Sequence, residues 1–239
     1  RRQVCDEIHS YHIGVYLEQL YDLLRRQIAL ALLFDSARCE DSADGEAERL
    51  AADFIDHLPA IKKTLRTDVE AIFDDDAAAK SRSEIIFCYP VVTAMLHYRT
   101  AHQLYVARIP VLPRIITEMA HSETGIDIHP GAQIGRYFTI DHGTGVVIGA
   151  TCIIGEHVKL YQGVTLGAKS FPLYEEGNPI KGIPRHPIIE DNVIVYSNAT
   201  ILGRITIGKG ATIGGNVWVT EDVPAGSRII QYNNRKRNE

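Results

Sequence analysis

Histidine is the side chain whose charge changes near neutral pH. His142, in the run Asp141-His142-Gly143-Thr144-Gly145, is a candidate general base. An imidazole in that role needs an acceptor on its other nitrogen. Asp127 lies 15 residues earlier, close to the roughly 18 residues of one solenoid coil, so it can stack one coil away and meet the ring. Asp141 is the other candidate, although neighbours on an extended chain point to opposite faces. A hydrogen-bonded corner residue is the alternative reading of His142. A second cluster, Pro184-Arg185-His186-Pro187, pairs two donors suited to a carboxylate; a salt bridge anchoring a loop is the alternative. His129 and His157 read as surface or corner residues. His97 and His102 are five apart on a predicted helix, which does not set them on one face for a metal.

Both clusters sit where a repeat breaks. After Gly125 the aliphatic residues Ile128, Ile134 and Ile140 recur every six positions. So do Ile148, Ile154, Leu160 and Leu166, and then Ile189, Val195, Ile201, Ile207, Ile213 and Val219. Glycine follows many of these anchors, and a small residue often stands two before, as at Ala132, Cys152, Ala199 and Ala211. A period of six predicts a parallel β-helix in which each hexad is a short strand plus a corner, with the anchor pointing inward. Alternating strands of period two would give no such register. The step from Ile140 to Ile148 is eight residues, and the step from Leu166 to Ile189 is 23. Local rules tend to fail at functional sites.

The preceding residues follow a helical grammar, with glycine only at Gly14 and Gly45. The spacing predicts an amphipathic helix over 13–34, helices over 46–58 and 60–73 divided at Pro59, and a short helix capped by Ser83 and running to Cys88. It also predicts a helix from Pro90 to about Tyr105 and a last one over 113–121. The fold class is therefore α+β: an all-α N-terminal domain, residues 1–125, then a β-helix over 126–228 with a long loop at 168–187, and a tail at 229–239.

Lys+Arg number 25 against 30 Asp+Glu, a net charge of −5, which argues against a nucleic-acid partner. The basic run Arg235-Lys236-Arg237 reads as a solvated tail. The longest apolar stretch outside the glycine-rich half, 85–98, is broken by Pro90 and falls short of the roughly 20 residues of a membrane span. Cys5, Cys39, Cys88 and Cys152 form no CxxC pair, which fits a reducing compartment, with neither metal nor disulfide. A cytoplasmic location is expected, and no signal peptide is visible.

The run Asp127-Ile128-His129-Pro130 through Asp141-His142-Gly143-Thr144-Gly145 resembles the serine acetyltransferases, hexapeptide-repeat enzymes of cysteine biosynthesis. So do Gly163–Gly167, Arg185-His186-Pro187, Asp76–Ser81, Tyr89-Pro90 and His97–His102. The resemblance implies a left-handed β-helix, trimers or dimers of trimers, and acetyl transfer from acetyl-CoA to the L-serine hydroxyl by direct attack. It implies that His142 is the general base and Asp127 its partner. Asp76 and Asp141 would contact the serine ammonium or hydroxyl, and Arg185 and His186 the carboxylate. Acetyl-CoA would lie near Gly167, Ala168 and Lys169, with Gly203 and Gly215. No metal is implied, and L-cysteine, nearly isosteric with serine, is an expected inhibitor. Ala77 stands where the family has proline after the aspartate, which implies a looser loop. The end at Arg237-Asn238-Glu239 lacks the isoleucine by which many relatives engage O-acetylserine sulfhydrylase, so that complex is not expected. The competing readings are a sugar or antibiotic acetyltransferase, a zinc lyase on the same fold, and a non-catalytic β-helix.

Overall fold

The computed structural model describes residues 2–35, 40–170, 174, 177–178 and 180–231, and within them the side chains of 9–34, 42–170, 174, 177–178 and 180–231. Cys39, the tail from 232 onward and part of the long loop lie outside the described residues, as does the side chain of Cys5. Among the described residues five helices come first: α1 (Arg2–Asp35), α2 (Glu40–Asp75), α3 (Arg82–Cys88), α4 (Pro90–Val106) and α5 (Leu112–Thr124). Fourteen short strands follow among the described residues, from Asp127–Ile128 to Arg228–Ile229. No described helix is long and apolar enough to cross a membrane.

The hexad anchors stack as their spacing predicts. All pairings are parallel, in sheets of five, four and five strands that form the three faces of a prism. Ile128, Ile148, Leu166, Ile201 and Val219 climb the first face. Ile134, Ile154, Ile189 and Ile207 climb the second. Ile140, Leu160, Val195, Ile213 and Ile229 climb the third. Apart from the half-buried Ile134, the anchors from Ile128 to Val219 are buried. The prism is a left-handed β-helix of about five coils.

The corners differ in backbone. Three residues before an anchor, the chain is left-handed at Tyr137, His157 and Asn192 on the second-to-third corner, and at Gly145, Gly163, Asn198 and Asn216 on the third-to-first corner. Gly, Asn and occasionally His tolerate this conformation. At the first-to-second corner the matching residues, Gly131, Thr151, His186 and Arg204, are not in that region. Ile148 stacks on Ile128, so the first coil takes 20 residues where the next, Ile148 to Leu166, takes 18. The extra length widens a third-to-first corner and carries His142, itself left-handed at φ 58°.

The helices depart from expectation in extent, α1 starting at Arg2 rather than 13 and α2 at Glu40 rather than 46, and in two further places. Pro59 lies inside a single α2 rather than between two helices. It is exposed, so the turn that loses a hydrogen bond faces water, and packing of Ala47, Leu50, Ala51 and Phe54 on Leu24, Ile28 and Leu32 of α1 carries the helix through. Ser81, not Ser83, caps α3: its backbone is extended and its hydroxyl accepts the Glu84 N–H at 3.1 Å, while the Glu84 carboxylate accepts the Lys80 N–H at 2.9 Å.

A buried clamp fixes the helices on the first coil. Arg99 of α4 makes a fork to Asp68 of α2 at 2.7 and 3.0 Å and donates to the carbonyls of Ile134 and Gly135 at 3.1 and 2.7 Å. Asp68 also accepts the Phe138 N–H at 3.1 Å, and the Tyr98 hydroxyl donates to the Ala132 carbonyl at 2.6 Å. His102 Nδ1 stands 2.8 Å from the Pro130 carbonyl. The helical motif around His97–His102 thus sets the end of α2, with Asp76 beyond it, against the coil that bears His142.

Candidate functional site

The first cluster lines a cleft of about 610 Å³ between the end of α2, the start of α4 and the widened corner. Asp76, Tyr89, Asp141, His142, Thr144 and Lys159 face it. The Tyr89 hydroxyl donates to Asp76 Oδ2 at 2.6 Å, and the Ala78 N–H donates to Oδ1 at 2.8 Å. These bonds, the tyrosine's above all, hold the Asp76 carboxyl below its usual range, helped by the charges of Lys159 and His142. The tyrosine answers in the opposite sense, pushed up to about 12 mainly by its bond to Asp76. With the Ala79 N–H on the Asp76 carbonyl at 3.1 Å, hydrogen bonds close the turn that contains Ala77. The His142 side chain is 74% exposed, with Nε2 3.7 Å from Asp141 Oδ1. The expectation that Asp141 points away is corrected by the left-handed backbone at His142, which turns the ring back toward its neighbour.

The second cluster occupies the first-to-second corner, at the opposite edge of the first face. Thr151 stands at its centre. Its hydroxyl accepts the N–H of Arg185 at 2.9 Å and of His186 at 3.2 Å, and lies 2.8 Å from His186 Nδ1. Arg204 donates to the carbonyls of Thr151 and His186 at 2.7 and 3.0 Å. The buried His186 ring packs against Gly149, where an added Cβ would come 2.0 Å from Cδ2. Burial first, then the positive charge of Arg185, push His186 down to about 4. His129, read from sequence as a surface or corner residue, is half-buried in this cluster; its Nδ1 accepts the Gly131 N–H at 2.9 Å and burial lowers its pKa. His157 is the corner residue it was read as, stacked on Tyr137 at 4.3 Å.

Within one chain Asp127 does not complete the first cluster. It is not among the residues lining the His142 cleft, and its carboxylate lies 3.6 Å from Arg114 of α5. The stacking expected from the 15-residue interval gives way because the first coil is two residues longer than the next. Asp127, Glu118 and His121 bring their ligand atoms within 4.8 Å of one another, but Arg114 bridges Glu118 and Asp127 and supplies the positive charge there.

The residues suggested for acetyl-CoA divide in the same way. Gly203 donates its N–H to the Gly167 carbonyl at 3.0 Å, and a Cβ on it would lie 3.3 Å from that of Lys169, so Gly167, Ala168, Lys169 and Gly203 share the first-to-second edge. Gly215 lies on the third-to-first edge, against Ser197. Between these edges the first face presents the outward row Val147, Thr165, Thr200 and Trp218, the tryptophan 70% exposed. Lys159, Thr151 and Arg204 had no role in the sequence reading, and Tyr89 entered it only within the Tyr89-Pro90 match. Thr151 and Arg204 stand three residues before the anchors Ile154 and Ile207, at a corner whose backbone is not left-handed and so does not call for Gly, Asn or His.

A family profile, Bacterial transferase hexapeptide (six repeats), matches residues 186–221. The chain is 52% identical over 238 residues to a plasmid serine acetyltransferase of Synechococcus elongatus, covering 97% of this chain and 75% of that protein. A crystal structure of Entamoeba histolytica serine acetyltransferase 1 in complex with L-cysteine superposes with a TM-score of 0.83 at 39% identity, over 92% of this chain and 78% of that one. A serine acetyltransferase in complex with CoA superposes with a TM-score of 0.66 at 27% identity, over 87% of this chain and 81% of that one. With relatives this similar, the readings as a sugar acetyltransferase, a zinc lyase or a non-catalytic solenoid fall away. The chain belongs to the serine acetyltransferases, enzymes that use acetyl-CoA.

Proposed function

We propose that His142 takes the proton of the L-serine hydroxyl as that oxygen attacks the thioester carbonyl of acetyl-CoA directly. The tetrahedral intermediate then expels the CoA thiolate, which leaves with the proton, and O-acetyl-L-serine is released. Asp76 and Asp141 hold the substrate ammonium; Arg185 and His186 hold its carboxylate. The observation that carries this reading is the convergence of Asp76, Asp141 and His142 on one cleft at the widened corner. Cys152 is a poor alternative nucleophile: it is buried and its thiol is pushed up to about 12 by burial. Initial-rate patterns that intersect support direct attack; parallel lines, the mark of an acetyl-enzyme, would remove it.

The two clusters lie on opposite edges of one face, and the acetyl-CoA residues divide between the same edges. This supports a homotrimer. Three prisms that turn their first faces, with Trp218, toward a threefold axis bring the His142 edge of one copy against the Arg185 edge of the next. Asp127 then orients the imidazole of a neighbouring copy. Co-expression of His142→Ala and Arg185→Ala chains tests this, because mixed trimers regain some intact sites while either variant alone stays inactive. No gain on mixing would place each site within one chain.

L-cysteine, bound in the crystal by the Entamoeba relative, is proposed to occupy the serine position here and to inhibit competitively with serine. Inhibition not competitive with serine would separate the two sites. We further propose a cytoplasmic enzyme that needs no metal.

A further inference from the structure

We infer that Thr151 is a positioning residue that locks His186 as a neutral imidazole protonated on Nε2, and so presents that N–H, with Arg185, to the substrate carboxylate. The inference rests on the proposed carboxylate role of Arg185 and His186 and adds what keeps the pair in its working state.

The hydrogen-bond accounting carries it. A hydroxyl has one donor and two acceptor positions. Both acceptor positions of Thr151 Oγ1 are taken, by the N–H of Arg185 at 2.9 Å and of His186 at 3.2 Å. Its proton is therefore left for the third neighbour, His186 Nδ1, at 2.8 Å. The Thr151 backbone N–H donates to the same nitrogen at 3.1 Å. A proton on Nδ1 would face two donors, so the proton of the neutral ring sits on Nε2. Burial and the charge of Arg185 disfavour a second proton. Nε2 lies over Gly149, where even one added carbon would come within 2.3 Å, so no side chain at that position covers the donor. Arg204 closes the arrangement by bonding the carbonyls of Thr151 and His186 together.

A ring held this way donates one hydrogen bond and takes no part in proton transfer. It suits an acceptor such as a carboxylate, with Arg185 supplying the charge. Thr151 itself touches no substrate. The matching first-to-second corner positions are held by Gly131, His186 and Arg204, none of which carries a hydroxyl, so the coil alone does not require one.

The test compares Thr151→Val, which keeps the shape and loses the hydroxyl, with Thr151→Ser, which keeps the hydroxyl. The serine variant should hold KM for L-serine within about twofold of the parent, and the valine variant should raise it about tenfold or more, with KM for acetyl-CoA unchanged. The 15N resonances of His186, assigned with His186→Asn, should show Nδ1 unprotonated in the parent and in Thr151→Ser. A protonated Nδ1 in the parent, or a parental serine KM in Thr151→Val, overturns the inference. If the valine variant does not fold, the resonances of the other two proteins still decide. If His186→Asn leaves the serine KM unchanged, the carboxylate reading fails instead, while the tautomer result still judges Thr151.

Discussion

Replacing Arg99 by methionine tests how the helical half holds its part of the cleft. The variant keeps a long apolar stem but removes both bonds to Asp68 and both to the carbonyls of Ile134 and Gly135. Asp68 is 2% exposed and would keep only the Phe138 N–H. Breaking a buried pair from one side costs about 3–5 kcal/mol. At about 2–4 °C per kcal/mol for a chain of this size, the melting midpoint should fall by about 6–20 °C. Burial pushes the Asp68 carboxyl up, opposed in the parent by Arg99 and by the Phe138 N–H. In the variant the opposition from Arg99 is gone. A carboxyl raised in the folded state keeps its proton there at a pH where the unfolded chain has lost it. Its stabilising contribution is present below the ordinary carboxyl pKa and is lost as pH rises through the raised value. The deficit measured by urea unfolding should therefore be smaller at about pH 5 than at about pH 8. A loss under about 1 kcal/mol, or one equal at both pH values, would refute the reasoning.

Two further substitutions probe the two clusters. Gly149→Ala puts a carbon 2.0 Å from His186 Cδ2, so the ring must leave its bonds to Thr151. Loss of that donor to a charged carboxylate, about 1.5–3 kcal/mol, should cut kcat/KM for L-serine about 10- to 150-fold with the fold retained, as initial rates and circular dichroism would show; unchanged kinetics would mean that His186 does not contact substrate. Tyr89→Phe removes the 2.6 Å bond to Asp76 in a partly open cleft and should raise KM for L-serine about three- to tenfold while kcat changes less; an effect on kcat alone would move Tyr89 from binding to chemistry.

The prism was legible because its rule is local. A side chain every six residues points inward whatever the rest of the chain does, and the stack from Ile128 to Val219 follows from counting. Both interruptions of that count carry side chains of the proposed site. What the count could not give is contact across the fold. The partner of Asp127 is Arg114, on a helix. The bond from Tyr89 to Asp76 joins the start of α4 to the end of α2. His129 looked peripheral because nothing in the sequence sets it beside Arg185 and His186. Pro59 misled because local propensity argues for a break, while the long α1–α2 contact outweighs one missing hydrogen bond at an exposed turn. The orientation of His142 toward Asp141 turned on a single left-handed residue, which spacing does not reveal.

The most direct test of the account is CoA release from acetyl-CoA with L-serine, measured beside a folded His142→Ala variant. The account predicts serine-dependent release that falls by about two to four orders of magnitude in the variant, the range for loss of a general base. Serine-dependent release at the parental rate in His142→Ala would contradict it.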